Sequence, residues 1–114
     1  MIKNSGGRKL SKTGAHRRRM LANMATGLLL QERVRTTLPK AKELRRTTDH
    51  LISLACQGNH REVRRILRNK TGTQKLFEVL VPRYKDRAGG FTRLYRLDRR
   101  QGDNAEMGLV QLVV

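Results

Sequence analysis

The sequence predicts an α+β fold: about four helices packed on a small, mostly antiparallel sheet of about three strands, with a basic N-terminal arm. Three observations predict it. From Thr13 to Val81 apolar residues recur at spacings of three and four, the period of a helix with one buried face. After Gly89-Gly90 the spacing changes to alternation, the period of a half-buried strand. Before Thr13 no apolar period exists, and glycine, serine and basic residues dominate. Residues 1–12 are therefore read as an RNA-binding arm and 13–114 as a single globular domain, with no internal repeat and no boundary inside it.

Each element has a local reason. In the arm, Lys3, Arg8, Lys9 and Lys12 surround Ser5-Gly6-Gly7, and nothing there could fold alone. Thr13 suits an N-cap, and Met20, Leu21, Met24, Ala25, Leu28 and Leu29 give the first helix one apolar face up to about Glu32. Val34-Arg35-Thr36-Thr37 is a short β-type stretch. Leu38-Pro39 opens a second helix, since proline's missing donor costs nothing in a first turn. Ala41, Leu44, Thr48, Leu51, Ile52 and Ala55 form its inner face, Lys42, Arg46 and Asp49 lie on others, and Gly58 ends it.

Asn59-His60-Arg61-Glu62 has the form of a capping box and opens a short third helix with Val63, Ile66 and Leu67 inward. A fourth helix starts at Thr71-Gly72-Thr73-Gln74, carries Leu76, Phe77, Leu80 and Val81, and is expected to stop at or near Pro82. Phe91 to Leu97 and Met107 to Val114 read as two strands of a hairpin around the turn at Gly102-Asp103-Asn104, with Val34 to Thr37 a candidate third strand.

Charge bounds the partner. The 114 residues carry 26 Lys and Arg against 9 Asp and Glu, a formal net charge of +17. Spread over a sphere of roughly 15 Å radius, that charge costs on the order of 40 kcal/mol in unscreened water, most of it removed by physiological salt. The remainder is comparable to the ~5–15 kcal/mol stability of a typical domain, so a polyanion that neutralises the chain should stabilise it. Two Tyr, two Phe and no Trp are few for a reader of single strands that stacks bases on aromatic platforms.

One cysteine, Cys56, can form no internal disulfide, which fits a reducing compartment, and as a helix inner-side residue it reads as core filling. No apolar run approaches a membrane span. The acid-free N-terminus lacks the apolar stretch of a signal peptide and reads better as a binding arm than as a piece of a transit peptide.

No constellation for chemistry emerges. His16, His50 and His60 have no Cys, Asp or Glu at ligand spacing, and no carboxylates pair for acid/base work. Asp103 sits in a turn, where aspartate commonly bonds its own backbone. Gly89-Gly90 lacks the Lys-Ser or Lys-Thr and helix of a nucleotide loop, yet could admit a phosphate to the backbone. A plain turn explains it nearly as well. The positive signal is basic. His16-Arg17-Arg18-Arg19 stands at a helix start, where the dipole favours anions, so four in a row favour phosphate contact over a solvated turn. Further clusters lie on the second and third helices and around the sheet. Charge on several faces favours folded RNA over one groove of a duplex.

The segment Thr36-Thr37-Leu38-Pro39-Lys40-Ala41-Lys42-Glu43-Leu44-Arg45 resembles the signature of the bacterial large-subunit ribosomal protein seventeen family. The resemblance runs over nearly the whole chain, through Gly7-Arg8-Lys9-Leu10-Ser11-Lys12, His16-Arg17, Asn23-Met24-Ala25, Arg87-Ala88-Gly89-Gly90-Phe91-Thr92-Arg93 and Gly102-Asp103-Asn104-Ala105. Ile2 and Lys3 depart from the Met-Arg-His of many members, and Phe91 stands where Tyr is common, keeping the ring and losing the hydroxyl.

The resemblance implies an α+β structural protein of the large ribosomal subunit, without enzymatic activity or cofactor. It also implies contact with large-subunit rRNA of the 23S type and a place on the solvent side near the peptide exit region, beside neighbouring large-subunit proteins. One copy per ribosome, no homo-oligomer and no membrane contact are expected, in the cytoplasm, with an organellar ribosome the other host open.

The expected RNA-binding residues are Lys3, Arg8, Lys9, Lys12, His16, Arg17 and Arg18 from the arm and first helix, and Lys40, Lys42, Arg45 and Arg46 from the second. Arg87, Gly89, Gly90, Thr92, Arg93, Arg99 and Arg100 join them from the loop and sheet; no catalytic or metal residue is expected. The rival readings are a nucleoid-type DNA binder, an RNA-processing enzyme using His16 or Asp103, and an amphipathic membrane-surface protein.

Overall fold

A computed structural model describes residues 13–113; the arm residues Lys3, Arg8, Lys9 and Lys12 lie outside them. Helix α1 spans Gly14–Gln31, strand β1 Arg33–Thr37, helix α2 Leu38–Cys56 and helix α3 His60–Leu67. Then come α4 (Lys70–Lys75), a π-helical turn (Leu76–Leu80) and α5 (Val81–Tyr84), which follow one another without a break and make the fourth helix of the expectation. Strands β2 (Thr92–Leu97) and β3 (Met107–Leu112) complete a three-stranded sheet of order β1-β3-β2, antiparallel throughout.

The caps are those the side chains allow. Thr13 accepts from the His16 N–H at 3.3 Å, and Asn59 accepts from the Glu62 N–H at 3.4 Å. Asn69 caps α4 by accepting from the Gly72 N–H at 2.7 Å, so the helix opens just before the expected Thr71. The fourth helix runs through Pro82 and ends near it, at Tyr84. The Val81 N–H bonds five residues back to the Leu76 carbonyl, and this wider turn lets Pro82 enter as a first-turn residue of α5, where it needs no donor.

Helices α1 and α2 face each other, with α3 and the fourth helix packed across them and the sheet laid on α2. One apolar cluster joins Leu28 and Leu29 of α1, Leu44, Leu51 and Ile52 of α2, Val63 of α3, Leu76 and Leu80 of the π turn, and Val110 and Leu112 of β3. Phe91 is buried against Tyr84, ring centroids 5.2 Å apart, so the ring packing expected of it is present without a hydroxyl. The Tyr84 hydroxyl donates to the Val113 carbonyl, tying α5 to the end of β3. Gly108 lets α2 lie close on the sheet: a Cβ there would stand 3.1 Å from Ala41 Cβ and Leu94 Cδ1, and 3.3 Å from Leu38 Cδ1.

Glu32 is a junction the sequence did not announce. It ends α1 in the left-handed region at φ 67°, with its N–H on the Leu28 carbonyl at 2.7 Å. Its carboxylate accepts from Arg83 Nη1 at 2.7 Å and from Lys75 Nζ at 3.1 Å, and Lys75 also reaches the Leu30 carbonyl at 3.0 Å. Since α1 has no basic residue in its own last turn, the fourth helix supplies the cations that its carbonyl end favours.

The Arg83 and Lys75 hydrogen bonds hold the Glu32 carboxyl down to about 2, from an ordinary 4.5. A depressed carboxyl stabilises the fold above its unfolded pKa, and that stability is lost as pH falls from about 4.5 through about 2. The group is a third exposed, so the expected loss is only about 1 kcal/mol. Equilibrium denaturation at pH 6 and pH 2.5 should show this loss in the native chain and not in Glu32→Gln; equal losses in both would refute the junction's role.

Candidate nucleic-acid interface

Several of the expected binding residues converge where α2 meets the start of β2. Arg45, Gly90, Thr92, Arg93, Leu94 and Tyr95 line an open cleft of about 340 Å3. Helical spacing places Lys42, Arg45, Arg46 and Asp49 along one stripe of α2, and that stripe runs to the cleft. Gly90 enters at φ +65°, a conformation costly for any residue with a Cβ, and no atom lies within 4 Å of where a Cβ would be. The loop thus presents bare backbone beside two guanidinium groups.

Asp49 holds this region in shape. Its carboxylate accepts from the Thr92 hydroxyl at 3.1 Å, with the backbone N–H groups of Phe91 and Thr92 also bonded to it. Burial pushes its pKa up, opposed by the Thr92 hydroxyl, by the Arg45 charge and by those backbone donors. Asp49 therefore faces the strand rather than solvent. Thr92, expected to touch RNA, is 2% exposed with its hydroxyl on Asp49; its side chain supports the loop from behind.

The sheet adds residues that sequence reasoning missed. Its register sets Arg33, Gln111 and Arg93 in one cross-strand row, and Arg35, Leu109 and Tyr95 in the next. Alternation turns both rows away from Gly108, whose face is covered by α2. The outer face thus carries three arginines and Tyr95, 47% exposed, and no acid in either row. The signal was present in the two-residue spacing of Arg33 with Arg35 and of Arg93 with Tyr95.

The remaining expected residues are spread out. His16 and Arg18 are exposed in the first turns of α1, which has no acidic residue there, and Arg17 is partly buried. On α2, Lys40 and Lys42 are partly buried, and Arg46 is 3.7 Å from Glu43. Arg87 and Gly89 are exposed in the loop before β2. Arg99 and Arg100 lie in the β2–β3 turn and are both paired, Arg99 with Glu106 at 3.5 Å and Arg100 with Asp103 at 2.6 Å. The Arg100 hydrogen bond, helped by the Ala105 N–H, lowers Asp103 to about 2, so this carboxylate organises the turn rather than titrating near neutrality.

Among the described residues no group of three or more His, Cys, Asp or Glu could hold a metal. His60 stacks on Phe77 at 4.0 Å, a packing role. No described helix is long and apolar enough to cross a membrane.

Comparison with known proteins gives one answer. A model of the family described as Ribosomal protein L17 matches residues 20–113. A protein of Elusimicrobium minutum named Large ribosomal subunit protein bL17 is 56% identical over 113 residues, 99% of each chain. The proteins of that name from Trichlorobacter lovleyi and Bradyrhizobium diazoefficiens are 44% and 47% identical. The first match covers 99% of this chain and 94% of the relative; the second covers 93% and 79%.

Proposed function

The chain belongs to the ribosomal protein L17 family, and from that premise we propose that it helps build the large ribosomal subunit by binding and stabilising large-subunit rRNA. It is a structural protein of the large subunit, working in translation, and not an enzyme. The observation that carries the RNA-binding reading is the convergence of Arg45, Arg93 and the Gly90 backbone on one cleft, beside a sheet face of Arg33, Arg35 and Tyr95 with no acid.

Chemically, the guanidinium groups would grip phosphate oxygens in pairs of hydrogen bonds, the Gly90 backbone would allow close approach, and Tyr95 would offer a ring for an unstacked base. Arg17, Arg18 and the arm residues Arg8, Lys9 and Lys12 would extend the grip along the RNA. Affinity would fall steeply with salt as counterions are released. In this reading one copy sits in each subunit, against 23S-type rRNA on the solvent side near the peptide exit region, with other large-subunit proteins as neighbours. The host ribosome would be that of the bacterial cytoplasm or of an organelle.

The test is sedimentation of the tagged protein from lysate at subunit-stabilising magnesium. Co-migration with large subunits through a salt wash is expected. Recovery only from the unbound fraction would overturn the proposal.

A further inference from the structure

A second cavity lies at the junction of α3 and α4. It is an open surface pocket of about 490 Å3, lined by Arg64, Arg68, Asn69, Lys70, Thr73 and Gln74. It shares neither a residue nor a secondary-structure element with the cleft beside β2. Its size is within the range of about 300–1,000 Å3 that holds small organic groups such as a nucleotide.

Three observations separate it from an ordinary solvated basic face. First, Arg64, Arg68 and Lys70 make no ion pair with any carboxylate of the described residues, whereas neighbouring Arg65, outside the cavity, is paired with Glu62 at 3.1 Å. Second, the two guanidinium groups are anchored from behind. Arg64 Nε donates to the His60 carbonyl at 3.4 Å and Arg68 Nε to the Arg65 carbonyl at 3.3 Å, so the terminal amino groups remain uncommitted. Third, Arg68 ends α3 in the left-handed region at φ 54°, the position where a helix most favours glycine. An arginine there is strained in its backbone, a cost that its single Nε bond to the Arg65 carbonyl offsets only in part, and its two terminal amino groups stay with the cavity's other cations rather than with any acid. The lining is mostly apolar, made by side-chain stems, with amide and hydroxyl groups of Asn69, Gln74 and Thr73 among them. Apolar walls suit a base or ribose, and the cations suit its phosphate.

We propose that the α3–α4 cavity is a second RNA site, which holds a segment of large-subunit rRNA different from the one at the β2 cleft, so that the protein bridges two segments. This rests on the rRNA-binding reading above.

The experiment uses the full chain and deproteinised rRNA from bacterial large subunits, with hydroxyl-radical footprinting and titration at several salt concentrations. The native chain should protect two separated segments. Arg64→Gln/Arg68→Gly/Lys70→Gln should lose one footprint, keep the other, weaken binding about tenfold or more and lower the steepness of the salt dependence. Arg68→Gly alone should weaken binding while melting at the same or a higher temperature than the native chain, which excludes unfolding as the cause. Affinity within twofold of native and an unchanged footprint in the triple variant would overturn the second site and leave the first intact. If the native chain does not prefer this rRNA over bulk transfer RNA, the rRNA-binding reading itself fails and the second site falls with it.

Discussion

Gly108→Val should destabilise the isolated protein by about 3 kcal/mol, a large share of a typical domain's ~5–15 kcal/mol. The reason is geometric. Gly108 lies in the central strand with Ala41 Cβ 3.1 Å from where its own Cβ would be. The Leu94 and Leu38 methyl groups that crowd the same point can rotate, but Ala41 Cβ moves only if α2 moves. Valine brings three carbons into that space. Its better strand propensity recovers at most about 1 kcal/mol. The melting temperature should fall by roughly 10–20 °C. Gly108→Ala should fall less, and adding Ala41→Gly should restore part of that loss, because the two Cβ atoms compete for one space. A Gly108→Val chain that melts with the native protein would show that α2 does not lie this close to the sheet.

The second large effect concerns binding. Arg45→Gln/Arg93→Gln should weaken association with large-subunit rRNA roughly 30–100-fold at physiological salt, and flatten the slope of log affinity against log salt by one to two. Both side chains line the same cleft, and they come from different elements, so their effects act on one RNA segment. Arg65→Gln, whose guanidinium is already held by Glu62, should change affinity less than threefold. Filter binding from 50 to 300 mM salt would check both. Equal losses in the two variants would mean that total charge, rather than this cleft, governs binding.

The helices and strands were legible because their signals are local. Thr13 and Asn59 cap where their side-chain chemistry requires, and all six inner-face residues named for the second helix are buried. What was not legible depended on distant partners. The way the fourth helix passes Pro82 before ending at Tyr84 was not legible, because a π turn leaves no mark in an apolar spacing. Glu32 looked like the end of a helix, since Lys75 and Arg83 reach it only after the fourth helix folds back.

Asp49 was put on an outer face by period alone, yet β2 arrives there and partly buries it. The basic residues of the interface were visible as a composition, and their sorting was not. Cross-strand register brought Arg33 and Arg35 beside Tyr95, and no local window contains that pairing. The low aromatic count gave no hint that one of the few rings, Tyr95, would stand exposed in the row with Arg35.

The strand order has a consequence for how the molecule comes into being. The middle strand, β3, follows every other element in chain order, and Arg33 cannot find Gln111 until β3 has been made. At a synthesis rate of about 5–20 residues per second, β1 waits roughly 4–15 s for its partner. Helices α1 to α3 are joined by nearby contacts and form in far less time. For those seconds the nascent chain has helices but no sheet. The Arg45–Arg93 cleft and the Arg33, Arg35 and Tyr95 face therefore do not yet exist as surfaces. They come into existence together when β3 enters, so a half-made chain carries the charge of the finished protein without the shape that directs it.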